Sequence, residues 1–533
     1  MNQQINPICK CDYPDPDVIR VGDTYYMAST TMHFLPGGAM LRSFDLVNWE
    51  LIGYIFDELD QTPAERMERE FVNYSGGMWA PCLRYHNGKF YVFFVSHGVH
   101  KTFMFTAEHA EGPWERHEIA GGEYHDLSVL FDDDGRIYMI YGNREIKLIE
   151  LDETLTGPKK GGLSRVLVKD TCEGLGFEGS HLYKIRGKYY VFLIDWPKGS
   201  VRTENCFVAD SIEGEFVGGP VMADDAGFFG NGVAQGGIVD TPNGKWYGIL
   251  FRDNGAVGRI PMLVPVTWKD DFPVFGNDGK LPEKLSVSSS RPYYQYKPLY
   301  VSDDFVAESE EECHNLALPW QWNHKSKPEL WSLLPEGGLK ITSDKISVNV
   351  THAVNCLTQR MMWPSAQAEV TVDATGISDG DVAGICALQS CYGLLGITKE
   401  GGVYYLVKMI RTPDRLKNSG GIGDYLPGQV VNKVRLDKPV VTLCLKADFE
   451  NLKDELDFFY LRETPKKVMV RDKNTPQVEV NWETVRSMVK VGDSHKLQFR
   501  LDHFCGARFG LFLYSTREVG GSAIFKNFKY EVD

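Results

Sequence analysis

The segment SVLFDDDGRIYMIYGN, residues 128–143, contains an apolar run, a turn rich in Asp and Gly, and a second apolar run. Four further segments repeat this arrangement, beginning at Asp17, Pro81, His181 and Gly237. Short β-branched and aromatic runs on either side of such a turn predict a β-hairpin. Each copy is followed by a second pair of short runs, so the repeating unit contains four strands. Five units of this kind predict a five-bladed β-propeller, whereas a solenoid would need capping repeats.

The repeats share one position that carries chemically useful side chains. When the copies are aligned on the Tyr of the second run, the residues at this position are Asp15, Trp79, Asp126, Glu178 and Gln235. Equivalent positions in a propeller lie around a common axis. Three carboxyl groups would therefore converge on one pocket, which is the arrangement that acid/base catalysis requires.

Each aligned residue also has a plainer interpretation. Asp15 lies between Pro14 and Pro16, where a strand-entry turn would explain it, and Pro16 predicts extended backbone for Asp15. Asp126 could cap a turn. The run Asp132–Asp134 has the beginning of a calcium loop but lacks the downstream Glu, so a hairpin turn is favoured. The glycines around Glu178 satisfy GxGxxG without a surrounding βαβ unit, which argues against a dinucleotide site.

Three further residues are predicted to contact a ligand. Trp79 is either core or an aromatic surface for a sugar ring. Gln235 is either a hydrogen-bonding group or buried filler. Arg259, in AVGRIPMLVP, could order a carboxylate or a hydroxyl, and its spacing alone does not decide.

The composition restricts the partners and the compartment. A formal net charge of -15 argues against nucleic acid and against an anionic membrane surface. No apolar stretch reaches the roughly 20 residues that span a bilayer. Eleven cysteines without framework spacing predict buried thiols in a reducing compartment. The start MNQQINPICK has no signal-peptide pattern, so we expect a cytoplasmic protein, or a periplasmic or secreted one if a leader was removed.

A chain of 533 residues is longer than one domain with a single hydrophobic core, so two or more domains are expected. Residues 1–280 are predicted to form the propeller. Residues 281–302 are rich in Pro, Ser and Lys and are predicted to form an ordered linker along it, because Tyr293, Tyr294 and Tyr296 would be poor solvent residues. Residues 303–533 contain further strands without helices, which predicts a jelly-roll β-sandwich, so the fold class is all-β.

Several of these segments resemble glycoside hydrolase family 43. NPICKCDYPDPDVIRVGDTYYMAST is similar to the family's opening blade, HDLSVLFDDDGRIYMIYG to its middle-carboxylate segment, and FEGSHLYKIRGKYYVFLI to its general-acid segment, with Ser180 where Pro is usual. GRIPMLVPVTWKDDFPVFG is similar to its closing-blade Arg segment. SDDF, LPWQWNH and GGLKI resemble the sandwich that follows the propeller in its β-xylosidases and α-L-arabinofuranosidases.

The resemblance implies a role for each aligned carboxyl. Asp15 would be the general base, Glu178 the general acid, and Asp126 would orient Glu178 and raise its pKa, while Arg259 would contact substrate or carboxylate. A base across the axis leaves room for water, so we expect inversion and a separation of about 6.5–9.5 Å between the Asp15 and Glu178 carboxyls.

Two departures from the family pattern bear on metal and sugar binding. Many relatives have a His beside an axial calcium ion where this chain has Gln235, so no metal or cofactor is predicted, although a structural calcium ion stays open. Relatives that act on xylose often have an aromatic–acidic pair where this chain has TTMHFLPGG, and His33 and Phe34 are therefore predicted to line a different terminal-sugar pocket.

The resemblance implies an exo-acting, inverting glycosidase that releases α-L-arabinofuranosyl or β-D-xylosyl units from plant cell-wall oligosaccharides. The alternatives are a propeller that binds glycans or proteins without catalysis, an endo-arabinanase-like enzyme, and a retaining enzyme. The expected partner is an oligosaccharide, and a homo-oligomer is left open.

Overall fold

The computed structural model describes residues 4–68, 72–170, 172–416, 421–471 and 478–532. The chain folds into a five-bladed β-propeller followed by a β-sandwich, as the repeats predicted. The described helices are one α-helix, Pro413–Leu416, and five short 3₁₀ helices: Gly255–Val257, Glu310–Glu312, Pro328–Leu330, Val350–His352 and Glu450–Leu452. No helix in the described part of the chain has the length and apolar character needed to cross a bilayer.

Each blade is a four-stranded antiparallel sheet whose strands follow chain order. Blade 1 contains Asp17–Val21, Thr24–Ser29, Gly37–Ser43 and Glu50–Phe56. Blade 2 contains Cys82–His86, Lys89–Ser96, Lys101–Ala107 and Glu115–Ile119. Blade 3 contains Ser128–Phe131, Ile137–Tyr141, Glu145–Leu151 and Ser164–Lys169. Blade 4 contains Gly174–Ile185, Lys188–Pro197, Thr203–Ala209 and Val217–Met222. Blade 5 contains Ala234–Asp240, Trp246–Asp253, Arg259–Lys269 and Phe272–Phe275.

The first strand of each blade contacts the first strands of its two neighbours, and the first strand of blade 5 contacts that of blade 1, which closes the ring. The Asp-rich stretch of the third repeat is the hairpin turn that the repeat pattern favoured. Its backbone bonds run from Asp132 N to Arg136 O and from Gly135 N to Asp132 O. The Asp132 carboxylate accepts a hydrogen bond from the Tyr189 hydroxyl at 2.5 Å and pairs with Lys184.

The sandwich consists of two antiparallel sheets. In spatial order, the first contains Phe34–Leu35, Gln321–Asn323, Leu357–Arg360, Arg508–Ser515, Asp381–Leu388, Gly393–Glu400, Val403–Ile410 and Gln429–Arg435. The second contains Trp331–Leu333, Leu339–Thr342, Ser522–Val532, Ser365–Asp373, Val440–Asp448, Glu455–Arg471 and Val478–Lys490, with His495–Lys496 beside Glu455–Arg471. Alternating burial along Ser365–Asp373 shows one face directed to the core.

The two domains are joined by a continuous interface. Phe34–Leu35, from the propeller segment, pairs with Gln321–Asn323 and extends a sheet of the sandwich. Asp12, before the first blade, accepts backbone hydrogen bonds from Arg259 and from Gly506 of the sandwich, both at 2.8 Å. One apolar cluster includes residues of both domains, so the sandwich packs against the propeller.

The segment between the domains lies partly along blade 1. The Tyr296 hydroxyl accepts a hydrogen bond from Phe44 N at 2.8 Å, and the Tyr294 hydroxyl donates to Glu50 at 2.5 Å. Tyr293, which was expected to pack as well, is exposed, because the turn at Arg291–Tyr294 directs it outward. All eleven cysteines are unpaired, and nine of them are buried.

Candidate active site

The aligned carboxyl positions lie at or just before the first strand of their blades. Asp15 precedes Asp17–Val21, Asp126 precedes Ser128–Phe131, and Glu178 lies inside Gly174–Ile185 at a register shift. Asp15 and Asp126 have left-handed backbone, with φ of 52° and 47°. The prediction of extended backbone for Asp15 was therefore wrong. A left-handed residue at strand entry is a strained conformation that persists where tertiary contacts hold it, and such residues concentrate at functional sites.

Asp15 is buried and paired with a cation. Its Oδ1 accepts a hydrogen bond from Arg259 Nη1 at 3.0 Å. Burial raises the pKa of Asp15 to about 6, Arg259 opposes that rise, and the nearby charges of Asp126 and Glu178 add to it. A carboxylate in this environment is a base that ionises close to neutral pH.

Asp126 is buried beside the predicted acid. Its Oδ2 accepts a hydrogen bond from the backbone N–H of Gly179, the residue that follows Glu178. Burial raises the pKa of Asp126, His125 lowers it, and Glu178 raises it further. The Gly179 hydrogen bond fixes the strand that carries Glu178, so Asp126 is placed to orient the Glu178 side chain.

Glu178 is the most accessible of the three, with 18% of its side chain exposed. Its Oε2 accepts a hydrogen bond from Asn143 Nδ2 at 2.6 Å and lies 3.7 Å from His125 Nε2. Both contacts are made to Oε2, which leaves Oε1 as the oxygen available to carry a transferable proton. Asn143 was missed by the sequence reasoning because it follows the second strand of blade 3, away from the aligned position.

The wall of the pocket includes a residue from the other domain. The Phe504 ring lies 5.1 Å from the Trp79 ring and 4.5 Å from the Arg259 guanidinium. Phe504 belongs to the sandwich loop before Arg508–Ser515 and has a left-handed backbone, with φ of 61°. A residue so distant in the chain carries no local sequence signal for this role. The Trp79 indole N–H donates to Ser75 O at 3.0 Å, which orients the ring.

A second arginine lies behind Arg259. Arg202 Nη1 pairs with Asp253 Oδ2 at 2.7 Å, and Arg259 Nε lies 3.5 Å from the other oxygen of Asp253. Burial lowers the pKa of Arg202, and the adjacent positive charge of Arg259 lowers it further. Asp253 therefore holds two cations on the side of the pocket that contains Asp15.

Gln235 lies in the first strand of blade 5, and its side chain is next to Gly179. It has left-handed backbone, with φ of 65°, and its backbone N–H donates to the buried Glu204 at 2.7 Å. The Gln235 side chain packs against Gly179, where an added Cβ would lie 2.8 Å from its Cγ. Gln235 thus supports the strand that carries Glu178.

His33 and Phe34, predicted to line the sugar pocket, are both buried. Phe34 is fully buried, and the Arg508 guanidinium covers its ring at 3.6 Å. His33 is buried against Tyr74, His324 and His503. The pairing of Phe34–Leu35 with the sandwich turns this segment into the domain interface, which explains the difference.

The propeller axis is occupied by a protein cation. The Arg84 guanidinium donates to Asp17 Oδ2, Ser128 Oγ and Val129 O, each at 2.7 Å, and reaches Leu182 O at 3.5 Å. These partners belong to the first strands of blades 1, 3 and 4. Arg84 engages these oxygens, and the other carboxylate oxygen of Asp17, Oδ1, lies 3.3 Å from His181 Nδ1.

Two groups of residues bring ligand-type atoms within 4.8 Å of one another in the described part of the chain. His125, Asp126 and Glu178 form the first. Asp170, Cys172 and Asp195 form the second. The Cys172 thiol donates to Asp170 at 3.0 Å, and Asp170 raises the pKa of that thiol to about 11, so internal hydrogen bonding accounts for this group.

Comparison with known proteins agrees with this geometry. The profile of "Glycosyl hydrolases family 43" matches residues 5–273, which contain all the carboxyls described above. The chain belongs to glycosyl hydrolase family 43. A second profile, the "Beta xylosidase C-terminal Concanavalin A-like domain", matches residues 309–531, the sandwich. This family 43 protein is therefore a glycoside hydrolase.

Relatives with assigned names cover most of this family 43 chain. A β-xylosidase of Formosa agariphila is 28% identical over 460 residues, 76% of each chain. A non-reducing end α-L-arabinofuranosidase of Bacteroides ovatus is 28% identical over 468 residues, 83% of this chain and 84% of its own. A solved structure described as a bifunctional GH43-CE protein of Bacteroides eggerthii is 40% identical, with a TM-score of 0.85, and the match covers 99% of this chain and 64% of that one.

Proposed function

We propose that this protein is an exo-acting, inverting glycosidase that releases terminal α-L-arabinofuranosyl or β-D-xylosyl units from plant cell-wall oligosaccharides. The observation that carries the proposal is the convergence of Asp15, Asp126 and Glu178 from three blades on one pocket, with each in a different environment.

In the proposed reaction Asp15 acts as the general base. Ionised Asp15 takes a proton from a water molecule as that water attacks the anomeric carbon, and the attack inverts the configuration. Arg259 holds Oδ1 of Asp15, so the other carboxylate oxygen is the one left to accept the proton. Asp15 therefore orients the attacking water, and no covalent intermediate forms with the protein.

Glu178 acts as the general acid. As the glycosidic bond breaks, the proton on Glu178 moves to the leaving oxygen, and the two products are a free sugar and a shortened oligosaccharide. Asn143 holds Oε2 of Glu178, and Asp126 fixes the strand through Gly179. After each turnover Glu178 regains a proton and Asp15 loses one, so the protons balance.

The domain arrangement favours action at chain ends. Phe504 of the sandwich contacts both Trp79 and Arg259, so the second domain narrows the pocket on one side. A pocket closed on one side accepts a terminal sugar more readily than the interior of a chain. The names of the relatives, β-xylosidase and non-reducing end α-L-arabinofuranosidase, support the two candidate sugars.

The test is a screen of p-nitrophenyl pentosides followed by arabinoxylan oligosaccharides, with wild type and Glu178→Ala. We expect release of p-nitrophenol from an α-L-arabinofuranoside or a β-D-xyloside by wild type, and release of single sugars from the oligosaccharides. Equal release of single sugars from the oligosaccharides by wild type and by the variant would contradict the role of Glu178 as the acid. Binding of oligosaccharides without turnover would identify a glycan-binding propeller, and mid-chain products would identify an endo-acting enzyme.

A further inference from the structure

His125 lies between the two carboxyls on the acid side of the pocket. Its Nε2 is 3.7 Å from Asp126 Oδ2 and 3.7 Å from Glu178 Oε2. Its other ring nitrogen, Nδ1, is 3.1 Å from Nε2 of His97 in blade 2. The imidazole therefore meets carboxylate oxygens on one side and a second imidazole on the other.

The contacts continue from His97 to the surface. His97 Nδ1 is 2.7 Å from Glu123 Oε2, and the other oxygen of Glu123 is 2.8 Å from His100 Nδ1. Side-chain exposure increases along this chain, from 24% for His125 to 77% for His100. A hydrogen-bonded row of titratable groups thus connects the pocket to solvent.

The proton positions are assigned from the hydrogen-bond partners. A carboxylate only accepts, so the His97 Nδ1–H donates to Glu123, and Nε2 of His97 accepts when that ring carries a single proton. His125 must donate to it through Nδ1–H. Since Nε2 of His125 faces two carboxyls, it carries a hydrogen as well, and His125 is an imidazolium.

The charges around His125 support this state. Asp126 adjoins it in the chain, Glu178 approaches from blade 4, Asp15 from blade 1 and His97 from blade 2. The pKa of His125 is raised to about 9, chiefly by Asp126 and also by Glu178 and Asp15, against the effect of burial. The centroid of the Trp79 ring lies 5.6 Å from that of the imidazole, with the two rings tilted at 57°.

We propose that His125 is a positioning residue that acts as a fixed cation between Asp126 and Glu178, and that the His97–Glu123 pair holds that cation in place from the surface. The proposal rests on the function proposed above only for its effect on catalysis. One side-chain atom from each of His125, Asp126 and Glu178 lies within 4.8 Å of the other two. A negative charge on Asp126 favours the protonated form of Glu178. A cation between the two carboxyls weakens that effect.

The first test measures the cation without any substrate. Histidine-selective ¹³C and ¹⁵N labelling of the whole chain, with the His125 signals identified by their loss in His125→Gln, gives its titration curve. We expect His125 to titrate above pH 8, and to titrate lower in Glu123→Gln, because the anion that supports it through His97 is removed. Glu108→Gln removes an exposed charge from the same blade and should leave the curve unchanged. Titration near the ordinary value of about 6.5, or no response to Glu123→Gln, would overturn the proposal.

The second test is the pH dependence of kcat/KM for wild type and His125→Gln on an arabinoxylan oligosaccharide, whose leaving oxygen needs a proton from the acid. Without the cation the acid keeps its proton to higher pH, so the alkaline limb should move upward by about one pH unit. A lower rate with an unmoved limb would show that His125 only supports the fold, and would overturn its effect on the acid. If wild type hydrolyses no glycoside, the proposed function fails, while the titration still decides the charge of His125.

Discussion

At the scale of single residues, the three carboxyls are distinguished by their surroundings. Asp15 is buried and hydrogen-bonded to Arg259, whereas Asp126 is buried and receives the Gly179 N–H. Glu178 is partly exposed and is held through one oxygen by Asn143. The same carboxyl chemistry can therefore perform different tasks, because burial, a cation and a hydrogen bond act on each group separately.

Removal of the acid should depend on the leaving group. Glu178→Gln keeps the shape and the Asn143 contact but cannot donate a proton, so kcat/KM on oligosaccharides should fall by about 10²–10⁴. The loss on p-nitrophenyl pentosides should be much smaller, because p-nitrophenolate needs little protonation to leave. The measurement is kcat/KM of one variant on both substrate types.

The matched variant is Asp15→Asn, which removes the base and should reduce kcat/KM on both substrate types by similar factors. If Glu178→Gln lost activity equally on aryl pentosides and oligosaccharides, the assignment of Glu178 as proton donor would be contradicted.

The pKa of Asp15 predicts the acid side of the pH profile. A base works only when ionised, so activity is present above its pKa and is lost as the pH falls through it. With a pKa of about 6, kcat/KM should fall roughly tenfold per pH unit below about pH 6. Circular dichroism at each pH separates this loss from unfolding.

Arg259→Gln tests the direction of this effect on the acid side of the pH profile. Arg259 lowers the pKa of Asp15, so its removal should move the acid limb to higher pH. A wild-type limb near pH 4, the ordinary range of Asp, would show that burial does not tune this base.

At the scale of elements, the sequence repeat predicted most of the local structure. A motif that recurs in the sequence predicted the blade hairpins. The same motif predicted the convergence of Asp15, Asp126 and Glu178. Asn143 and Phe504 could not be found in this way, because neither occupies the aligned position. The left-handed backbone of Asp15 was also missed, since the rule for residues before proline is local and tertiary contacts override it here.

The sandwich loop that carries Phe504 should contribute to turnover. Phe504→Ala removes the ring between Trp79 and Arg259, and we expect kcat/KM on oligosaccharides to fall by about tenfold, or about 1.4 kcal/mol. Leu501→Ala changes an exposed side chain of the same loop and should have no effect. Equal kcat/KM values for wild type and Phe504→Ala would show that the second domain does not shape the pocket.

At the scale of the whole molecule, two internal connections fix the pocket. The interface built by Phe34–Leu35 and Asp12 holds the sandwich over the propeller. That connection could not be read from the sequence, because a two-residue strand has no periodicity and its partner lies almost 300 residues away. The second connection is Arg84, which bonds to the first strands of three other blades.

Loss of Arg84 should destabilise the propeller strongly. Arg84→Leu leaves the buried Asp17 carboxylate without its cation, and breaking a buried pair in this way costs about 3–5 kcal/mol. Arg20→Leu breaks a partly exposed pair with Asp240 between blades 1 and 5 and should cost about 0–1 kcal/mol. Thermal unfolding of both variants checks this, and equal Tm values would contradict the axial role.

The central claim is that Asp15 and Glu178 act from opposite sides of one sugar, with water between Asp15 and the anomeric carbon. The most direct test is ¹H NMR of the first sugar released by wild type, recorded before mutarotation. We expect the anomer of inverted configuration. A first product with the configuration of the substrate would contradict it, because Asp15 would then have to act as a nucleophile.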